Sequence, residues 1–259
     1  MFADFDGIRD WFVGYTHTFD LSVPMIQVKY RHSFDVMRVG RTLIEALSWP
    51  PANAAVGVAA CLLHDTGRFS QYRDFGTYYD GASVDHGDRG YEILRAEFPR
   101  ALVDDEAWEV LLQAVKQHNK KNLPEVDPQA APFCRLTRDS DKLDVFKMVD
   151  RRIQEGTVAE LLPRHRIDAP LSKALLDEIE RNRSGSYKNA ASLQDFLLIQ
   201  LTWMLDLNFA PSFQMLEDSG VPARIRSRFP QNDAGVQGLL DRLFAWIAEH
   251  RQAVAQRAV

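Results

Sequence analysis

The run Ala59-Ala60-Cys61-Leu62-Leu63 is small and apolar, and it stops at His64-Asp65 with Thr66-Gly67 behind. An imidazole and a carboxylate side by side at the end of a buried helix form an unusual unit to build for stability alone, and both groups bind first-row metals readily. Four more residues repeat the pattern of a polar ligand on an apolar face or at a helix end: His32, His86, His118 and Asp141. Four His and two Asp are enough to hold two ions if one carboxylate bridges them. Two ions about 3.5–4 Å apart can deprotonate a water near neutral pH, direct it at phosphorus and neutralise the developing oxyanion.

The elements that must position these residues read as helices. His32, Val36, Val39 and Leu43 share one face of a helix from Tyr30 to about Ser48, while Arg31, Arg38 and Arg41 turn away from it. Trp49-Pro50-Pro51 ends that helix. A second helix, about Ala52 to Asp65, is rich in Ala and Gly, which permits close helix approach, and Thr66-Gly67 breaks it. Residues 68–82 lack a clear period and read as a loop or short helix over the site. Ser83 reads as the N-cap of the helix carrying His86. His118 ends a helix from about Asp104, and Asp141 lies on a helix from about Pro132 to Val149.

Beyond Asp150 the helical patterns cover about 170–182, 191–207 and 234–255, with a Pro- and Gly-bearing stretch from Pro211 to Pro230 between the last two. Trp203 and Leu207 read as core, and His17, His165 and His250 as surface residues. No convincing period-2 strand and no internal repeat emerges, so the expected fold is all-α. Residues 1–150 are expected to form the core with the metal site, and 151–259 a C-terminal helical extension packed on the same domain.

Of the 259 residues, 46% are hydrophobic and 26% charged, ordinary values for a soluble globular protein. The net charge of −5 and the lack of a basic block argue against a nucleic-acid polymer as partner. Two cysteines without CxxC spacing are expected to stay reduced. No apolar run approaches a membrane span of about 20 residues, and the N-terminus does not read as a signal peptide. A cytoplasmic location is expected, and oligomeric state is open.

His32, His64-Asp65 and Asp141 (in Ser140-Asp141-Lys142-Leu143) resemble the His…His-Asp…Asp signature of the HD-domain metal-dependent phosphohydrolase superfamily, over roughly residues 28–150. His86 (in Asp85-His86-Gly87) and His118 (in Gln117-His118-Asn119) look like the added histidines of its binuclear branch, shared with HD-GYP proteins. The resemblance implies an HD-domain helical bundle in which Asp65 bridges the two metals. HD-GYP proteins carry a second His and a Gly-Tyr-Pro where this chain has Asn119 and Asn122-Leu123-Pro124, which counts against cyclic-dinucleotide hydrolysis. Arg68 stands where the family often has a Lys.

The expected activity is therefore a phosphomonoesterase or phosphodiesterase acting on a small phosphoester, a nucleotide being the first expectation, through a metal-activated water. His64 and Asp65 are the central residues, and Arg68 and Lys142 the candidates for holding phosphate. The ions are expected to be divalent transition metals, iron or manganese first, with zinc, nickel, cobalt or magnesium as alternatives. Two other readings carry different chemistry: a diiron oxygenase of the same superfamily, and a non-catalytic nucleotide-binding sensor.

Overall fold

A computed structural model describes residues 1–257 and divides the chain into two compact units, Met1–Asp144 and Val145 onward. Among the described residues there is no strand, only isolated β-bridges at Ala3–Val103 and Arg166–Ser192. The fold is all-α, as the sequence patterns require.

The first unit contains α1 (Phe5–Thr16), α2 (Pro24–Ala46), α3 (Pro51–Leu63), α4 (Thr66–Phe75), α5 (His86–Glu97), α6 (Asp105–Gln117) and the start of α7 (Ala131–Gln154). Prolines open α2 and α3, where the missing N–H would have had no partner inside the helix. Asp4, Asp85 and Asp104 cap α1, α5 and α6 by accepting from the backbone N–H three residues on.

The middle of the unit is α3, which packs on α1, α2 and α6. From Ala59 to Leu63 it is fully buried. A helix that is apolar all round has no solvent face, and each large side chain it buries stabilises the fold by about 1.5–3 kcal/mol. At His64-Asp65 the chain turns an elbow into α4, with Asp65 at φ −98° and ψ 17°. Thr66 Oγ1 donates to Leu63 O at 2.7 Å and Tyr15 Oη to Thr66 O at 3.2 Å, which ties the elbow down.

Several local expectations need correction. Of the two readings for residues 68–82 the short helix holds, but it begins at Thr66-Gly67 as α4, so only residues 76–85 form the connection to α5, with a 3₁₀ turn at Asp80–Ala82. Gly67 is needed for close approach instead. A Cβ there would lie 2.2 Å from His86 O and 2.7 Å from Gly90 N. The cap of α5 is Asp85, not Ser83, whose hydroxyl donates to Tyr79 O. Helix α2 begins six residues earlier than Tyr30, at Pro24.

The second unit contains the end of α7, then α8 (Val158–Leu161), α9 (Lys173–Asn182), α10 (Leu193–Thr202), α11 (Ala210–Asp218), α12 (Val221–Ser227) and α13 (Ala234–Arg257). Helix α10 is its buried centre, begun by a reciprocal capping box between Ser192 and Asp195. The Pro211–Pro230 stretch is not a mere separator, because Pro211 and Pro222 fall in the first turns of α11 and α12, where proline is tolerated. His165 and His250 are half-buried rather than surface residues. His165 lies edge-on to Phe196, and His250 Nε2 donates to Leu207 O at 2.8 Å.

Candidate metal centre

His32 sits midway along α2, His64 directly follows α3, Asp65 forms the elbow, His86 opens α5, His118 directly follows α6 and Asp141 lies in α7. The four histidines and Asp65 are each 4% exposed or less. All six residues converge. The ligand atoms of His32, His64 and Asp141 lie within 4.8 Å of one another, as do those of His64, Asp65 and His118.

Each imidazole is pinned through Nδ1 to a group that can only accept. His32 Nδ1 meets Asp144 Oδ2 at 2.7 Å, His64 Nδ1 meets Cys61 O at 2.8 Å, His86 Nδ1 meets Asp80 Oδ2 at 2.7 Å, and His118 Nδ1 meets Val115 O at 2.7 Å. Nδ1 therefore carries a proton in each ring, and wherever the ring is neutral its Nε2 lone pair is the free donor. All four Nε2 atoms point at the same place. His32 and His64 bring theirs within 3.3 Å, and His86 and His118 within 3.0 Å.

Asp65 divides these rings into two sets. Its Oδ2 lies 3.6 Å from His32 Nε2 and 3.4 Å from His64 Nε2. Its Oδ1 lies 3.5 Å from His86 Nε2 and 3.6 Å from His118 Nε2. Asp141 Oδ1 joins the first set, 3.0 Å from His32 Nε2 and 3.7 Å from His64 Nε2. Ligands bound about 2.1 Å from one ion stand about 3.0–3.4 Å apart from each other, so both sets, with separations of 3.0 to 3.7 Å, come close to the dimensions of a coordination shell. In the second set, two buried neutral nitrogens face each other lone pair to lone pair at 3.0 Å. A cation between them turns that repulsion into binding, so the donor set fits a divalent metal.

Electrostatics support the same division. Burial pushes His86 down to about 3, helped by the charge of Arg68, and burial lowers His118 as well. Both therefore stay neutral and ready to ligate. At His32 burial and Lys29 push down, but the hydrogen bonds that the ring donates to Asp141 and Asp144 prevail and raise it to about 9. Burial works against ionising Asp65, yet the Lys29 ammonium and the surrounding imidazoles hold it well below the usual carboxylate range.

The phosphate-binding candidates are placed differently. Arg68 Nε lies 3.5 Å from Asp65 Oδ1, while Nη1 is engaged by Gln71 Oε1, Tyr78 O and Asp80 Oδ1 at 2.8, 2.5 and 3.0 Å. Lys142 Nζ lies 3.5 Å from Arg138 O, one turn back on its own helix.

Sequence reasoning missed three participants: Lys29, Asp80 and Asp144 as a support. Lys29 Nζ donates to Asp65 Oδ2 at 2.7 Å. Asp80 gathers Arg68, Gln71, His86 and Asn119. Lys29 and Asp144 each stand three residues from a ligand on a helix, and that spacing was the available signal. A further brace is the buried Arg138, whose Nη1 donates to Gln117 O, His118 O and Lys120 O at 3.0, 3.0 and 2.7 Å.

Comparison with known proteins agrees with this geometry: residues 30–145 match the family model of the HD domain. No curated protein and no solved structure matches the chain.

Proposed function

We propose that the protein is a metal-dependent phosphohydrolase acting on a small phosphoester, a nucleotide being the leading class, on the premise that residues 30–145 match the family model of the HD domain. HD domains belong to a superfamily of metal-dependent hydrolases, and the His/Asp cluster is of the type that holds their metal. The observation that carries the reading is the splitting of Asp65 between two histidine pairs, which suits one carboxylate shared by two divalent ions.

Bound ions supply an activated water and neutralise charge that develops on phosphoryl oxygens. The chain supplies the rest. His32, His64 and Asp141 hold one side of Asp65, and His86 and His118 the other. Asp144 and Asp80 hold the rings of His32 and His86 in the ligating tautomer, a support commonly worth about 10–100-fold in metal affinity. Arg68, fixed beside Asp65, adds a permanent positive charge near the place where an anionic substrate meets the centre.

The test is reconstitution of metal-stripped protein with Mn²⁺ and a panel of mononucleotides and other phosphoesters, read as released phosphate, with Asp65→Ala as the control. The expected result is metal-dependent release that the substitution abolishes. Fully loaded protein that is silent across the panel would falsify the hydrolase reading. Substrate-dependent oxygen uptake by the iron form would favour the oxygenase alternative.

A further inference from the structure

Lys29 is a cation whose position exceeds what a counter-ion to Asp65 requires. It lies on α2 one helical turn before His32, on the same side of the helix. Its side chain is only 13% exposed. Nζ sits 2.7 Å from Asp65 Oδ2, the oxygen that faces His32 and His64, and 5.8 Å from the centroid of the Tyr78 ring. An ammonium carries three N–H donors. Asp65 takes one, leaving two on a side chain held at the edge of the first ligand set.

Asp65 already has other sources of positive field. Arg68 lies against its other oxygen at 3.5 Å, and the tyrosine ring that faces Lys29 also faces Arg68, at 5.6 Å. Two cations thus flank one carboxylate, one on each oxygen, with Tyr78 common to both. If Asp65 gives its oxygens to metal ions, its charge is shared with them, and Lys29 keeps a full charge and a hydrogen-bonding shell to fill. A compact ammonium has no preferred plane, so it suits a tetrahedral oxyanion approached from any side.

We propose that Lys29 is an anion-binding residue of this centre, which holds a non-bridging oxygen of the substrate's phosphoryl group on the His32–His64 side of Asp65. The assignment rests on the phosphohydrolase reading and gives it a second cation beside Arg68. It places recognition on the phosphoryl group, which every phosphoester substrate shares.

The experiment uses the full chain loaded with Mn²⁺ and inorganic phosphate as the probe. Phosphate affinity is measured by calorimetry on wild type, Lys29→Met and Lys29→Arg, with metal content and thermal melting recorded for each. The expected result is phosphate binding about 10–100-fold weaker in Lys29→Met, with metal content unchanged and affinity partly restored in Lys29→Arg. Where hydrolysis is measurable, KM rises and kcat moves little, the signature of a contact made equally in the ground and transition states.

Unchanged phosphate affinity in a fully metallated Lys29→Met protein overturns the proposal, as does a wild-type protein that binds no phosphate. Metal lost from both variants overturns it too, because Lys29 then serves only to position Asp65. Phosphate binding that depends on Lys29 in a protein without hydrolytic activity upholds the anion site and rejects the phosphohydrolase reading, so the two failures are distinguishable.

Discussion

His64 and His118 occupy the same place at the ends of two different helices. Each is the residue directly after its helix, and each turns Nδ1 to the carbonyl three residues back, Cys61 O at 2.8 Å and Val115 O at 2.7 Å. The last turn of a helix leaves carbonyls unpaired, so this contact satisfies a backbone group and selects the imidazole tautomer together. Their rings meet edge to face with centroids 5.0 Å apart.

The two ligand sets predict different metal losses. His118→Ala and His86→Ala should each leave one ion per chain, held by His32, His64 and Asp141. Asp65→Ala should remove both. Metal quantification on purified protein reads the stoichiometry directly, and two ions retained in His118→Ala would sink the assignment of the second set.

Asp80 lies outside both sets but fixes the ring of His86. Asp80→Asn should weaken metal affinity about 10–100-fold at the second set and leave the first nearly unaffected. Competitive titration with a chelating dye resolves the two affinities.

Loading the first set should displace a proton. His32 is raised to about 9 in the metal-free protein, so at pH 7.5 its ring is protonated and Nε2 is blocked. Metal uptake there must release about one proton, measurable by calorimetry in two buffers of different ionisation enthalpy. The raised value also means that His32 contributes its stability to the metal-free protein fully below pH 6.5, and that this contribution disappears as pH rises through about 9.

Gly67→Ala places a methyl 2.2 Å from a backbone oxygen, and backbone yields less readily than the end of a flexible side chain. The expected cost is about 1–3 kcal/mol, together with displacement of His86. A lower melting temperature and weaker binding at the second set should therefore appear in the same variant.

Both cysteines should be inert in the native state. Burial pushes Cys61 up to about 12 and Cys134 up to about 11, so neither forms the reactive thiolate at pH 8. A disulfide-exchange dye should titrate no fast thiol in the folded chain and two after denaturation. Rapid labelling of either in folded protein would count against the packing of α3 or α7.

The six candidate ligands were legible because of where they stand in the pattern, as His32 breaks an apolar stripe on α2 and His64 ends one after α3. Their supports were not. Lys29, Asp80 and Asp144 are charged residues of a kind that normally faces solvent, and beyond the three-residue spacing of Lys29 and Asp144 from His32 and Asp141 no local pattern sets them apart. The N-cap of α5 was misplaced at Ser83 for a related reason. Ser and Asp are comparable caps, and local sequence does not reveal that Ser83 spends its hydroxyl on Tyr79 O. The Pro211–Pro230 stretch hid two helices because proline breaks a helix interior yet fits a first turn.

Arg138 has a consequence for how the centre behaves as a machine. It lies on α7 three residues before Asp141, and its guanidinium grips the carbonyls of Gln117, His118 and Lys120. A substitution that frees the end of α6 should therefore also be felt on α7, where Asp141 stands. Arg138 thereby ties the backbone that carries His118 to the helix that carries Asp141.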